Sequence, residues 1–174
     1  MRAIYHIYTI GYGNSTPDAF FALLPDNAII VDVRANPYSA WNSLFTYRHL
    51  SQRLAAFRDG TRRYVWIPEL GNRSRRMPPT LVDEAKGLEH LKRLARDAHQ
   101  KGRAICLLCA EGNPLEPDGV THRCHRAYIA QHLAEALGDA VVVHLTPSSA
   151  LATNDTPAYN KNRSGRDSPQ ETIA

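Results

Sequence analysis

The feature that most constrains the fold is an almost uninterrupted apolar run from Ala104 to Ala110. A strand in an antiparallel sheet often alternates apolar and polar residues, because one of its faces contacts water. A parallel strand covered on both faces is apolar along its whole length. The run therefore predicts a central strand of a parallel sheet.

Four further segments have the composition of strands, and helical segments alternate with them. These predicted strands are 4–10, 28–33, 63–67 and 140–145, and the predicted helices are about 17–24, 47–58, 80–101 and 126–137. Apolar residues recur at helical spacing in 80–101, where Thr80 with Asp83 resembles a capping box. Strands that alternate with helices predict a parallel sheet with right-handed crossovers. We therefore predict a single three-layer α/β domain over 1–146, with a mainly parallel five-stranded sheet flanked by helices.

The remainder of the chain differs in composition. From residue 147 onward it is rich in Ser, Thr, Asn, Asp, Pro and Arg without apolar periodicity, which predicts a disordered C-terminal tail over 147–174. The apolar runs are far shorter than the roughly 20 residues needed to cross a bilayer, and the N-terminus lacks the pattern of a secretory signal. We expect a cytoplasmic protein without a membrane partner. The sequence indicates neither a cofactor nor an oligomeric state.

Three cysteines, an odd number in a chain without a secretory signal, are expected to be reduced thiols. Cys106 and Cys109 lie three residues apart in one predicted strand and therefore face opposite sides of the sheet. We interpret Cys106 as core packing, because free cysteine is among the most buried residue types. Cys109 ends the strand, where a ligand can reach it, and it is a candidate nucleophile.

Cys124 precedes a predicted helix and is followed by His125 and Arg126. A thiol near a helix N-terminus and beside cationic side chains has a lowered pKa, and the thiolate is the reactive form. Cys124 is therefore a second candidate nucleophile, with His125 as a proton carrier and Arg126 as an anion clamp. A zinc site formed by Cys109, Cys124 and either His122 or His125 is the alternative, since zinc binds these donors.

Polar residues also follow the first two predicted strands, and ligands of open parallel sheets bind beyond the carboxyl ends of strands. A loop of flexible residues opens onto a helix N-terminus suited to an anion, and it consists of Gly11, Tyr12, Gly13, Asn14 and Ser15. Asp32 and Arg34 follow the second strand. Arg34 is placed to clamp a carboxylate or phosphate, or to pair with Asp32 in a structural role.

A basic cluster lies between the third strand and the long helix. It comprises Arg73, Arg75 and Arg76, preceded by Arg62 and Arg63, with Tyr38, Trp41, Tyr64 and Trp66 as nearby aromatic residues. Arginines with aromatic side chains are typical of contacts with a phosphate backbone and its bases. The alternative is a solvated loop beside buried aromatic residues.

Several stretches of the chain together resemble one known family. They are TIGYGNST, VDVRANPYS, the segments 45–54 and 64–71, and LLCAE followed by CHRAYIA. Over about residues 4–146 the chain resembles the conserved, uncharacterised family known as domain of unknown function 488. The resemblance implies a compact α/β domain with site positions at Cys109, Glu111, Cys124, His125 and Arg126. Two departures are Asn72, where the family typically has glycine, and a longer loop between Glu111 and Cys124.

These features predict a cysteine-dependent enzyme that acts on a nucleotide or nucleic acid, with arginines holding the anionic substrate. The predicted catalytic residues are Cys109, Glu111, Cys124 and His125, and the predicted substrate-binding residues are Gly11, Tyr12, Gly13, Asn14, Ser15, Asp32, Arg34 and Arg126. The alternative is a non-catalytic nucleotide- or nucleic-acid-binding module with structural or zinc-binding cysteines.

Overall fold

The computed structural model of the chain describes residues 4–13, 15–38, 40 and 42–146. Within them the strands are β1 Tyr5–Gly11, β2 Ala28–Asp32, β3 Tyr64–Trp66, β4 Ala104–Cys109 and β5 Ala140–Leu145. The α-helices are α1 Pro17–Leu23, α2 Tyr47–Arg53, α3 Glu84–Gln100 and α4 His125–Leu137. None of these helices combines the length and the apolar character that a bilayer crossing requires. The predicted tail over 147–174 lies outside the described residues.

The five strands form one sheet in the order β3-β2-β4-β1-β5. Every neighbouring pair is parallel, so the predicted α/β fold is confirmed and the sheet is parallel throughout. All six residues of β4 are buried, and β4 lies between β2 and β1 as the apolar run predicts. The carboxyl ends of these three strands therefore meet at one edge of the sheet.

Two hydrophobic clusters cover the two faces of the sheet. On one face Phe20 of α1 and Leu50 of α2 belong to the same cluster as Cys106. On the other face Leu91 of α3 and Ile129 of α4 belong to the cluster of Cys109. The three layers follow from this arrangement, and the prediction that the two β4 cysteines face opposite sides is confirmed.

Helix α3 begins at Glu84, four residues later than the start predicted from the helical spacing of its apolar residues. Asp83 accepts a hydrogen bond from a backbone N–H of the first turn and caps the helix at Glu84. Thr80 lies outside the helix, because its backbone N–H donates to Asn72 Oδ1 over 3.0 Å. The capping box predicted from Thr80 and Asp83 is therefore wrong, and the preceding segment is a loop.

The segment between α2 and β3 also differs from its prediction. Helix α2 ends at Arg53 rather than at residue 58. Ala56 pairs instead with Arg62 in an antiparallel bridge, which turns the chain back before β3. The Phe57 N–H also donates to the Thr61 carbonyl oxygen over 2.9 Å, so a turn occupies the residues predicted as the end of the helix.

The strand order places a crevice at the carboxyl ends of β2 and β4. The chain leaves β2 toward β3 on one side of the sheet and leaves β4 toward β5 on the other. Neighbouring strands whose connections diverge in this way form the usual ligand-binding crevice of an open α/β sheet. The crevice contains the candidate site.

Candidate functional site

An open pocket of about 590 Å³ lies at the carboxyl ends of β1, β2 and β4. Of the residues predicted for the site, those that line it are Tyr12, Arg34, Glu111, Cys124 and His125. Three strands and the N-terminus of α4 therefore converge on one cavity. Its size is that of a pocket for a small organic ligand or for one unit of a polymer.

Cys109 and Cys124 form a buried pair at the pocket floor. Cys109 is the last residue of β4 and Cys124 precedes the first residue of α4, with exposed fractions of 0% and 2%. Their Sγ atoms lie 2.8 Å apart, so one thiol donates a hydrogen bond to the other sulfur. Cys124 lines the pocket, and Cys109 lies behind it. The loop closure assumed between the two cysteines is present.

The guanidinium of Arg126 binds this pair from the protein interior. Arg126 is completely buried, and its Nη1 donates to Cys109 Sγ over 2.9 Å and to the Glu111 carbonyl oxygen. Its Nη2 donates to the Gly112 carbonyl oxygen over 3.0 Å, and its Nε donates to Thr9 Oγ1 over 3.3 Å. Because its donors bind groups inside the protein, Arg126 orders the loop between Cys109 and Cys124, which we call the cysteine loop. Arg126 does not line the pocket, as a residue that clamps a substrate would.

The three cysteines have different acidities for identifiable reasons. Burial by itself raises the pKa of Cys109. The hydrogen bond from Cys124 and the charge of Arg126 outweigh burial and lower this pKa to about 6. Cys124 keeps its proton as the donor to Cys109, and this hydrogen bond together with burial raises its pKa. Burial raises the pKa of Cys106 to about 12. The pair therefore carries one negative charge at neutral pH, centred on Cys109.

His125 is held in one tautomer by a backbone contact. Its Nε2 lies 2.9 Å from the Val33 carbonyl oxygen, which can only accept a hydrogen bond. Nε2 therefore carries the proton, and the Nδ1 of the neutral ring has its lone pair available 3.7 Å from Cys124 Sγ. This nitrogen is suited to accept a proton or to bind a metal ion.

Among the residues that the structure describes, Cys109, Cys124 and His125 form the cluster that could hold a metal. Their ligand atoms all lie within 4.8 Å of one another. Zinc binds thiolate and imidazole donors, and a zinc-binding histidine commonly donates its second ring N–H to a carbonyl, as His125 does. Between the two histidines predicted as alternatives, the structure brings His125 to the cysteines, whereas the His122 ring packs on Tyr128.

Asp32 and Arg34 form a buried ion pair beside the pocket. Arg34 Nη2 lies 2.5 Å from Asp32 Oδ2, and Arg34 Nε lies 2.9 Å from Asp32 Oδ1. The Tyr64 hydroxyl donates to Asp32 Oδ2 over 2.6 Å, and Arg34 Nη1 donates to the Tyr12 hydroxyl over 3.3 Å. Asp32 is fully buried and orients Arg34, whereas Arg34 lines the pocket. Arg34 therefore both pairs with Asp32 and faces the pocket, where a ligand could contact it.

The glycine loop after β1 supports the cysteine loop by close packing. A Cβ atom at Gly11 would lie 1.6 Å from the Glu111 carbonyl oxygen, and one at Gly13 would lie 2.7 Å from the Ala110 carbonyl oxygen. The Gly13 N–H already donates to Ala110 over 2.8 Å. Among the described residues of this loop only Tyr12 lines the pocket; Ser15 does not, and the predicted Asn14 lies outside the described residues.

Arginines that were not predicted as site residues also line the pocket. Arg75 and Arg76 belong to the basic cluster, and Arg123 immediately precedes Cys124. Asn72 organises the loop of the first two, since its Oδ1 accepts the Thr80 N–H over 3.0 Å and its Nδ2 donates to the Arg76 carbonyl oxygen over 3.0 Å. The basic cluster in the sequence had indicated Arg75 and Arg76 as contacts for a phosphate backbone, whereas nothing in the sequence analysis indicated Arg123.

Comparison with known proteins agrees with the resemblance seen in the motifs. A family model described as Domain of unknown function DUF488 matches residues 16–133. The chain belongs to the DUF488 family. The DUF488 match includes Asp32, Arg34 and every predicted catalytic residue, whereas Gly11–Ser15 precede it. No curated protein and no solved structure matches the chain.

Proposed function

We propose that this DUF488 protein is a cysteine-dependent enzyme that acts on a nucleotide or nucleic acid, in a cytoplasmic setting that keeps its thiols reduced. The observation that carries the proposal is the 2.8 Å contact between Cys109 Sγ and Cys124 Sγ, with Arg126 Nη1 2.9 Å from Cys109 Sγ. A thiol pair that only fills space, such as an apolar core would contain, requires no buried cation. The guanidinium supports a role for the pair as a thiolate.

The position of each sulfur suggests a division of roles. Cys124 lines the pocket and is the attacking group, while the Cys109 thiolate behind it accepts the Cys124 proton through their shared hydrogen bond. The new bond joins Cys124 Sγ to an electrophilic atom of the substrate, and the leaving group departs with the bonding electron pair. The proton that Cys124 gives up passes to the leaving group, carried by His125 Nδ1, 3.7 Å from Cys124 Sγ, or by the Glu111 carboxylate, since both residues line the pocket.

The charge of the pocket supports an anionic substrate. Four arginines line it, namely Arg34, Arg75, Arg76 and Arg123, against the two glutamates Glu111 and Glu116. Guanidinium groups bind phosphate oxygens through paired hydrogen bonds. These arginines replace Arg126 in the substrate-binding role, because Arg126 donates its hydrogen bonds inside the protein.

A second candidate function is a non-catalytic nucleotide- or nucleic-acid-binding module whose cysteines hold zinc. The observation that favours it is the cluster of Cys109, Cys124 and His125, whose ligand atoms lie within 4.8 Å of one another. Three protein ligands leave one position of a tetrahedral zinc ion open. The Arg126 guanidinium, 2.9 Å from Cys109 Sγ, opposes a second cation at the same sulfur.

The test that separates the candidates is selective alkylation together with metal analysis. Purified full-length protein is treated with iodoacetamide at pH 7, and the modified cysteines are identified by peptide mass spectrometry, with buried Cys106 as the internal control. The enzyme proposal expects Cys124 or Cys109 to react faster than glutathione. The zinc proposal expects one equivalent of zinc by elemental analysis, lost in Cys124→Ser. If neither cysteine is fast and no zinc is present, both proposals are wrong.

A further inference from the structure

A loop bearing two arginines borders the pocket and is ordered by its own side chains. Asn72 Oδ1 accepts hydrogen bonds from the Ser74 N–H and the Thr80 N–H, and Asn72 Nδ2 donates to the Arg76 carbonyl oxygen. Arg75 takes the left-handed conformation, with φ 54°, which an L residue adopts only where its surroundings require it. The loop is therefore fixed in shape before any ligand binds.

Arg75 and Arg76 are exposed at the pocket, and within the described part of the chain no acidic side chain forms an ion pair with either one. By contrast, Arg34 is paired with Asp32, and Arg123 lies 3.8 Å from Glu116. Two guanidinium groups on an ordered loop, with no acidic partner among the described residues, attract phosphate, and a phosphate backbone supplies several phosphates in a row.

An exposed aromatic ring lies close to the same pocket. Tyr38 is 62% exposed, yet it is supported from beneath by Trp66 in edge-to-face contact at 5.4 Å and by Tyr47 at 5.2 Å. Its backbone N–H donates to Asn36 Oδ1 over 3.0 Å, and Asn36 lines the pocket. Two residues of extended chain span at most about 7 Å, so the Tyr38 backbone lies within about that distance of the pocket wall.

The aromatic support continues into the ion pair of the pocket. The Trp66 indole N–H donates to the Arg34 carbonyl oxygen over 2.9 Å, and the Tyr64 hydroxyl donates to Asp32. Tyr47 contacts both Tyr64 and Trp66. The exposed ring is thus a fixed platform tied to the residues that orient Arg34, and its position relative to the pocket is set by the fold.

We propose that the substrate bound at this site is a single-stranded nucleic acid, with a base stacked on Tyr38, phosphates on Arg75 and Arg76, and an adjacent nucleotide in the pocket above Cys124. The inference rests on the proposed function and names its substrate class. Stacking on an aromatic side chain requires an unpaired base, and rings beside a basic groove are typical of proteins that bind single strands. A thiol at a pocket floor also reaches only a base that has left the helical stack.

Binding of defined oligonucleotides tests this inference. Fluorescence anisotropy with the full-length protein compares a labelled 15-nucleotide poly-dT strand, the matching poly-U strand and a duplex of the same length, each with thymidine monophosphate as competitor. We expect one or both single strands to bind at least 10-fold more tightly than the duplex. Thymidine monophosphate should compete only at concentrations at least 100-fold higher. The dT and U arms distinguish a DNA strand from an RNA strand.

Surface variants locate the strand on the protein. Tyr38→Ala should weaken binding about 10-fold or more, and Tyr38→Phe, which keeps the ring, should stay within about 2-fold of the parent. Arg75→Ala with Arg76→Ala should reduce the slope of log affinity against log salt by about 1.4, the value for two contacts with a single strand. Arg93→Ala with Arg96→Ala, two exposed arginines on α3, removes the same charge and should leave the slope unchanged.

The outcomes separate this inference from the proposed function. If duplex and strand bind equally, if thymidine monophosphate competes at equal concentration, or if Tyr38→Ala binds as the parent does, the single-strand inference is overturned. Iodoacetamide labelling of Cys124 or Cys109 at pH 7 in the same preparation reports independently on the reactivity of the cysteine pair. Fast labelling without strand binding leaves the cysteine-dependent enzyme standing with another substrate, whereas strand binding with slow labelling removes the enzyme and keeps the binding site.

Discussion

Cys106 and Cys109 lie three residues apart on β4, and both side chains have an exposed fraction of 0%. Burial raises the pKa of Cys106 to about 12. Cys109, equally buried, has a pKa lowered to about 6, because Cys124 donates a hydrogen bond to its sulfur and Arg126 places a positive charge beside it. Depth in the protein therefore does not decide whether a thiol ionises. The partners on its side of the sheet decide it.

The difference in pKa between Cys106 and Cys109 arises because successive side chains of a strand point to opposite faces of the sheet. The face of Cys106 packs against residues of α1 and α2, including Phe20 and Leu50, and gives the sulfur apolar neighbours. The face of Cys109 meets the start of α4, where the chain supplies Cys124 and Arg126. One strand thus carries an inert thiol and an acidic one, and the two serve as controls for each other.

The largest effect on the difference between the two thiols is expected for Arg126→Met. This substitution keeps a long side chain and removes the charge and the hydrogen-bond donors. We expect the pKa of Cys109 to rise toward that of Cys106, because burial is then opposed by the hydrogen bond from Cys124 without the guanidinium charge. We also expect the free energy of unfolding to fall by about 3–5 kcal/mol, as for the removal of one partner from a buried charged pair. Thiolate absorbance near 240 nm as a function of pH, with a urea titration, measures both.

Arg126→Lys is the matched control, since it keeps the charge near Cys109 and loses the planar arrangement of donors. Its thiolate titration should lie between those of the parent and Arg126→Met. A midpoint that stays near pH 6 in Arg126→Met would show that the guanidinium does not set the acidity of Cys109.

A second effect is a pH dependence of stability between about pH 6 and pH 9. In this interval Cys109 is ionised in the folded state and protonated in the unfolded state, whose ordinary pKa is 9.0. The unfolded state binds more protons, so the free energy of unfolding rises with pH; the stabilisation is complete above pH 9 and is lost as pH falls through about 6. At about 1.4 kcal/mol for each pH unit, the rise is at most about 4 kcal/mol.

Cys124 acts in the opposite direction at higher pH. Its pKa is raised in the folded state by the hydrogen bond to Cys109 and by burial, so above pH 9 only the unfolded state loses this proton and stability declines. Urea unfolding from pH 5 to pH 10 should therefore show a maximum near pH 9. Cys109→Ser should lack the rise between pH 6 and pH 9, and an equal rise in that variant would assign it to other groups.

The smallest effect is expected for Cys106→Ala. Loss of one buried sulfur should lower the free energy of unfolding by about 1 kcal/mol, comparable to the loss of one methylene from a core. The Cys109 titration and the labelling of Cys124 should not change, because Cys106 belongs to the cluster on the other face. A shift in the Cys109 midpoint would mean that the two faces of β4 are coupled through the strand.

The order of strands and helices was predictable because each depends on local patterns. Apolar runs gave all five strands, and the alternation of strands with helices gave the three-layer α/β fold. The start of α3 was not predictable, because Thr80 is drawn out of the helix by Asn72, a partner eight residues away. The opposite orientation of Cys106 and Cys109 was predictable from strand geometry alone.

The site could be located from the sequence but not assembled from it. Residues that follow parallel strands share one edge of the sheet, so Arg34, Cys109 and Cys124 were placed in one region. The depth of each side chain could not be inferred. Arg126 and Arg123 are three residues apart, yet one is fully buried against Cys109 and the other is exposed at the pocket, and only tertiary packing distinguishes them.

Gly11 ends β1 opposite Cys109 of β4 and does not line the pocket, but its missing side chain is what lets the loop after Cys109 approach. One added methyl group would lie 1.6 Å from the Glu111 carbonyl oxygen and 2.6 Å from Arg126 Nη1. Every amino acid other than glycine would displace the guanidinium that acidifies Cys109. Steric exclusion therefore decides which mutations this position tolerates. A substitution here would disrupt the arrangement of the cysteine pair although every polar side chain of the site would still be present.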